Sequence, residues 1–181
     1  MRERPIKMHL GCGKRFIKGY VHIDMMDYPH IDYMTSVDNL SKFRDECADV
    51  IYACHLLEHF KRSETEKVLR EWYRVLQKGG ILRISVPDFK QLIKIYENYE
   101  DLNLILGPLV GGQNYEYNFH YMVFDFKTLK EMLLKVGFTE VRKYDWRKTE
   151  HADVDDYSQA YVPHMDKENG IQVSLNVEAI K

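Results

Sequence analysis

Long apolar runs are missing from this chain. None of its 181 residues lies in a stretch approaching the ~18 apolar residues of a membrane span, so no membrane partner is expected. Cysteine is scarce as well. Cys12, Cys47 and Cys54 form neither a C-x-x-C pair nor an even framework, which excludes a disulfide scaffold and predicts reduced thiols in a cytoplasmic protein. An excess of positive charge is also absent: 26 Lys and Arg stand against 28 Asp and Glu, and the basic residues are scattered. A nucleic-acid partner, which calls for a basic face, is therefore not expected. The opening Met1-Arg-Glu-Arg-Pro5 lacks the apolar centre of a secretory leader. What remains is ordinary, 45% apolar and 30% charged, and predicts one globular domain over residues 1–181; a homodimer is compatible with it.

Residues 6–24 carry the clearest signal. An apolar run ends in Leu10-Gly11-Cys12-Gly13, and a second, Val21-His-Ile-Asp24, ends in an acid. Glycines after a strand let the backbone approach a ligand closely, because no Cβ blocks the way or forbids positive φ. An acid at the tip of the next strand suits ribose hydroxyls. The dinucleotide pattern G-x-G-x-x-G is not met: its third position is Phe16, and Asp24 follows Gly13 by only 11 residues. A ligand with ribose but no phosphate fits better, and S-adenosylmethionine is the common one.

Further pieces follow in a fixed order: Val37-Asp38-Asn39-Leu40, then Ala48-Asp-Val-Ile-Tyr-Ala-Cys-His-Leu-Leu-Glu-His59, then Val75-Leu-Gln-Lys-Gly-Gly-Ile-Leu-Arg-Ile-Ser-Val-Pro87. With Lys135-Val-Gly-Phe138 and Ser174-Leu-Asn-Val-Glu178, the chain resembles the class I S-adenosylmethionine-dependent methyltransferases, in the compact methyltransferase-11-like branch. The resemblance implies an α/β, Rossmann-like, mostly parallel sheet of about seven strands with helices on both faces. It also implies cofactor contacts from Leu10, Gly11, Cys12, Gly13, Asp24 and Met25. Asp38, Asn39 and Leu40 would border the adenine, and Ala53 to His55 would flank the methionine part. Compact relatives often occur with saccharide metabolism, which implies a small polar acceptor such as a sugar hydroxyl.

The second half reads as alternating helices and strands. Ser63-x-x-Glu66 has the form of a capping box before apolar Val68, Leu69, Trp72, Val75 and Leu76, predicting a helix over 62–77 stopped by Gly79. A buried strand is expected over 81–86, ended by Pro87, and a helix over 88–99. Asp125 is read as the cap of a helix carrying Leu129, Met132, Leu133 and Val136, with Gly137 just past its end. Strands are expected near 138–146 and 172–180. The first half is shortened: only residues 14–20 separate the first two strands, enough for one helical turn or a bare loop. Residues 107–124 and 147–171 are expected as long loops, the first an aromatic insert shaping the acceptor pocket, with Tyr115 and Tyr121 offering flat faces.

Methyl transfer to a hydroxyl needs alignment, exclusion of water and a base. The candidates are His120, His59 and Asp88. His55-Leu-Leu-Glu58-His59 also matches H-x-x-E-H, the inverted zinc-protease pattern. That motif belongs inside a helix, whereas His55 here follows the strand-like Asp49-Val-Ile-Tyr-Ala-Cys54. No metal is therefore expected, and Glu58 and His59 are read as packing or capping residues. A zinc hydrolase and an inactive cofactor-binding module are the alternative readings.

Overall fold

The structure, a computed structural model, describes residues 5–181; most of the opening segment read above for a leader lies outside the described residues. The parallel part of its sheet is built from β1 (Lys7–Leu10), β2 (Val21–Asp24), β3 (Tyr33–Met34), β4 (Ala48–Cys54) and β5 (Leu76–Pro87). Two later strands, β6 (Glu140–Lys143) and β9 (Ser174–Ile180), extend it in the order β3-β2-β1-β4-β5-β9-β6, and β9 runs antiparallel to both neighbours. Two short strands, β7 (Tyr161–Val162) and β8 (Ile171–Gln172), pair separately. Residues 14–20 form a bare loop between β1 and β2.

Strand alternation divides the sheet into an apolar and a polar face. On the first, Met8, Leu10, Ile23, Ile51, Ala53, Leu82, Ile84, Val177 and Ala179 form the main core. It is covered by α1 (Thr65–Val75) and α4 (Phe126–Val136) through Leu69, Trp72, Leu129 and Leu133. Trp72 is fully buried, and its Nε1–H donates to the Val37 carbonyl at 2.9 Å. The second face carries a continuous cross-strand row, His22, His9, Tyr52, Arg83 and Glu178, all buried. The loop at 14–20 and the segment after β6 cover that face, with Ile17, Tyr20 and Val154 packed at Tyr52. Beyond it, α2 (Phe89–Tyr99) and α3 (Asn103–Val110) pack together through Leu92, Ile95 and Ile105, next to Val173.

Several local expectations are corrected. The capping box at Ser63 and Glu66 does not form: α1 begins at Thr65, Glu64 reaches back to the Lys61 amide at 3.2 Å, and Glu66 pairs instead with Arg70 and Lys135. Gly79 does have positive φ, +74°, but it bends β5 rather than ending α1, which stops when Leu76 turns extended. Gly107 and Pro108 lie inside α3, because the apolar side chains of Leu104, Ile105 and Leu109 gain burial against α2. The loop expected at 107–124 therefore begins only after Val110. Residues 147–171 are not an open polar loop: His151, Asp156, Ser158 and Gln159 are buried. Their polarity matches the sheet face beneath, where the Tyr52 hydroxyl donates to Asp156 at 2.5 Å and Asn176 Nδ2 donates to the Ser158 carbonyl at 3.0 Å. Asp125 caps α4 as expected, accepting from the Thr128 amide at 2.7 Å.

Candidate functional site

The carboxyl ends of β1 and β4 lie side by side, Leu10 opposite Ala53, so the turns that leave them meet. Gly11 has φ +58°, and a Cβ there would stand 2.5 Å from Leu56 Cδ1. Gly13 has φ +53° with nothing within 4 Å of where its Cβ would be, so its backbone borders open space. Asp24 is almost buried and is held by two backbone amides, Gly13 on Oδ2 and Met26 on Oδ1, each at 2.8 Å. The carboxylate is thus aimed by the glycine turn itself, and its remaining lone pairs can accept further hydrogen bonds. Beside it, Met25 is exposed, while Cys12 is buried with its thiol pushed up to about 12 by burial, an unreactive neutral group.

The Asp38 segment divides. Asp38 accepts from the Ser36 hydroxyl, and Asn39 Oδ1 accepts from the Ser41 amide at 3.3 Å. Leu40 turns into the core, with its amide on Glu71 and its carbonyl on Arg74, so only Asp38 and Asn39 are left at the surface. Ala53 is likewise a core residue. Tyr28 and His30, near this half, went unread in the sequence, whereas Tyr115 was read as part of the acceptor loop. Tyr28 stacks on His30 at 6.1 Å, and the Tyr115 hydroxyl is pushed up by partial burial and then by Tyr28, Asp24 and Tyr157. Tyr115, on the loop after α3, is thus within electrostatic reach of Asp24.

The other half begins at His55, whose left-handed φ of +48° turns the chain sharply off β4. Residues Leu57–His59 form only a 3-10 turn, so His55 and His59 do not stand one helical turn apart as the zinc-protease motif requires. His55 Nε2 lies 2.8 Å from Ser174 Oγ, which itself donates to the Tyr157 carbonyl. His55 is thereby committed to a structural contact, and burial pushes it down to about 3, a neutral ring. Glu58 is fully buried, and neither carboxyl oxygen has a hydrogen-bond partner. His55 Nδ1 is 3.4 Å from Glu58 Oε1, too long and too poorly directed to satisfy it. Burial pushes the Glu58 carboxyl up to about 8.

His120 arrives from the loop after α3. The amides of Tyr121 and Met122 both donate to the Glu58 carbonyl, at 2.8 and 3.2 Å, fastening this loop to the Leu57–His59 turn. The His59 and His120 rings then stand 4.7 Å apart, nearly perpendicular. His59 Nδ1 faces the Phe119 carbonyl at 3.1 Å and His120 Nδ1 faces the Pro108 carbonyl at 2.9 Å. Carbonyls only accept, so each Nδ1 carries the proton and each Nε2 presents a lone pair. Burial lowers both pKa values, keeping both rings neutral. Asp88 stands apart from this group. It caps α2, accepting from the Lys90 amide at 3.1 Å, and borders a small cavity with Gln91, Lys143 and Tyr144. Another concavity, lined by Asp45, Arg74 and Lys181, lies at the opposite end of the sheet among charges already paired.

The Gly11–Asp24 half fits a nucleoside-bearing sulfonium cofactor: an open backbone turn beside a fixed carboxylate, and no helix N-terminus to hold a pyrophosphate. Comparison with known proteins agrees. The methyltransferase domain family matches residues 10–84. The chain is similar to the ubiquinone/menaquinone biosynthesis C-methyltransferase UbiE of Pseudoalteromonas translucida, 31% identical over 120 residues, covering 61% of this chain and 47% of the relative. UbiE of Blochmanniella floridana is 34% identical over 89 residues, 44% of this chain and 35% of that one. The chain thus matches about half or less of the length of these relatives. Among solved structures, a SAM-dependent methyltransferase from Archaeoglobus fulgidus superposes with TM-score 0.60 at 15% identity, over 99% of this chain and 87% of the other. The Burkholderia thailandensis 1,6-didemethyltoxoflavin-N1-methyltransferase, solved with bound 1,6-didemethyltoxoflavin and S-adenosylhomocysteine, gives TM-score 0.60 at 15% identity, over 98% of this chain and 72% of the other.

Proposed function

We propose that this chain, whose residues 10–84 match the methyltransferase domain family and whose fold is that of S-adenosylmethionine-dependent methyltransferases, methylates a hydroxyl of a small polar acceptor of the saccharide class. The observation that carries this reading is the meeting of His59, His120 and Glu58 at the segment just after Leu56, the side chain that packs at Gly11. The cofactor, when bound, supplies an electrophilic methyl group on a sulfonium. Asp24 would hold its ribose, and the open backbone at Gly13 would let it approach. A sulfonium displacement needs the acceptor oxygen aligned and relieved of its proton. A neutral imidazole with Nδ1 locked on a carbonyl offers its Nε2 for that purpose. Tyr115, Tyr117 and Tyr121, all exposed on the loop that carries His120, give flat faces with polar tips suited to a sugar ring. We place the reaction in the cytoplasm, a reading supported by a sequence with only three cysteines and no C-x-x-C pair. Among the described residues no helix is long and apolar enough to cross a membrane.

The test is a screen of sugars, nucleotide-sugars and small acids with labelled cofactor, followed by His120→Ala. On the acceptor found, turnover should fall by about 10²- to 10⁴-fold while S-adenosylhomocysteine affinity stays unchanged. Full turnover in His120→Ala would remove that residue from the reaction. Turnover on a carbon acceptor alone would move the chemistry toward that named for the UbiE relatives.

A further inference from the structure

We propose that Glu58, His59 and His120 form a site for one divalent transition-metal ion, and that this ion holds the acceptor hydroxyl for methylation. The ion site stands on geometry alone; its use on a hydroxyl rests on the methyl-transfer reading above.

One ligand atom from each of the three side chains lies within 4.8 Å of the others. Tetrahedral coordination at metal–nitrogen distances of about 2.1 Å would bring such atoms to about 3.4 Å, a contraction that side-chain torsions can supply. Both imidazoles already have the outer partner that metal-bound histidines characteristically have, an Nδ1–H held by a backbone carbonyl. The carboxyl group supplies the independent observation. Glu58 is completely enclosed and neither of its oxygens has a partner, although buried polar groups are nearly always satisfied. An ion between the two imidazoles satisfies it. His55, fixed by Ser174 through Nε2, stands 3.4 Å from Glu58 Oε1 and is not counted among the ligands.

Two imidazoles and one carboxylate favour zinc, iron, cobalt or manganese over calcium or magnesium, which prefer all-oxygen sites. Three protein ligands leave open positions for an acceptor. In the loaded site the ion replaces the free imidazole as the activating group: both Nε2 lone pairs are on the metal, and the bound hydroxyl, made more acidic by it, gives its proton to water. Its oxygen then forms the new bond to the methyl carbon as the carbon–sulfur bond breaks, and the electron pair of that bond stays on sulfur. The sequence expectation of no metal rested on His55 and His59 as the pair; the pair that converges is His59 and His120, 61 residues apart.

The experiment titrates the chelator-stripped full chain with Co²⁺, read by visible absorption and by calorimetry. One ion per chain is expected, weakened by about 10-fold or more in Glu58→Gln, His59→Ala and His120→Ala, and unchanged in His164→Ala, an exposed histidine elsewhere. Circular dichroism checks each fold, and Glu58→Gln, which keeps the buried volume, decides if a histidine variant unfolds. Absence of stoichiometric Co²⁺, or equal binding in Glu58→Gln and the parent, overturns the site. S-adenosylhomocysteine binding is measured in parallel: cofactor without Co²⁺ sinks the ion and spares the methyltransferase reading, and Co²⁺ without cofactor does the reverse. Turnover abolished by chelator and restored by Co²⁺ or Mn²⁺ supports the ion's role on the hydroxyl; turnover indifferent to chelator overturns it.

Discussion

Asp24 shows how one side chain can serve both fold and ligand. Its two oxygens fasten the amides of Gly13 and Met26, which fixes the turn on either side of the proposed ribose site. Asp24→Ala should weaken S-adenosylhomocysteine binding by about 2 kcal/mol, the worth of hydrogen bonds to a charged acceptor, and calorimetry reads it directly. Unchanged affinity would remove Asp24 from the cofactor. This half of the site was legible because its residues are neighbours in sequence: a Gly-x-Gly turn, a strand, an acid. The other half was legible only in pieces. The spacing of His55, Glu58 and His59 suggested a metal motif with the wrong pair, since nothing in a sequence says that His55 is committed to Ser174 while His120 folds back from 61 residues away.

Among the elements, the segment over 147–160 departs most from its sequence reading. Its composition predicts a solvated loop, yet it lies on a sheet face that is itself polar. Arg83 is the link between them: its guanidinium donates to Glu178 Oε1 at 3.0 and 2.8 Å and to Glu150 Oε2 at 2.9 Å. Arg83 is 7% exposed and Glu178 8%, so removing the cation leaves a buried carboxylate with only the exposed Arg142, 3.2 Å from its other oxygen. Arg83→Met should therefore cost about 3 kcal/mol in urea unfolding and lower amide protection across 150–160. A loss of stability that leaves protection there intact would mean the segment is held by its other contacts. Periodicity did identify α1 and α4, because each buries one apolar stripe, and the helix expected over 88–99 is α2. It missed α3, where the Gly107-Pro108 pair reads as a breaker and burial against α2 prevails.

For the whole molecule, the polar face sets the response to acid. His9 is buried between Tyr20, Tyr52 and His22, and burial pushes it down to about 3, helped by His22, His151 and His30. His22 and His151 are lowered as well. Between the unfolded histidine value of 6.5 and about 3, the unfolded chain binds the proton that the folded one refuses. Stability should thus fall as pH drops through that window, by up to about 1.4 kcal/mol per pH unit for one such proton. His9→Asn should shrink the fall in urea midpoint between pH 7 and pH 4.5; an identical fall would place the acid sensitivity on other groups. The alternation of strands and helices announced the sheet, but not that its last strand reverses and slips between β5 and β6. That reversal has a consequence for biosynthesis. As a ribosome emits the chain, β6 appears some thirty residues before β9 and has no strand to lie against, while β5 keeps an open edge. The sheet of the described residues can close only after Ile180 has cleared the exit tunnel, so β5 and β6 wait for β9, whatever formed earlier on the ribosome.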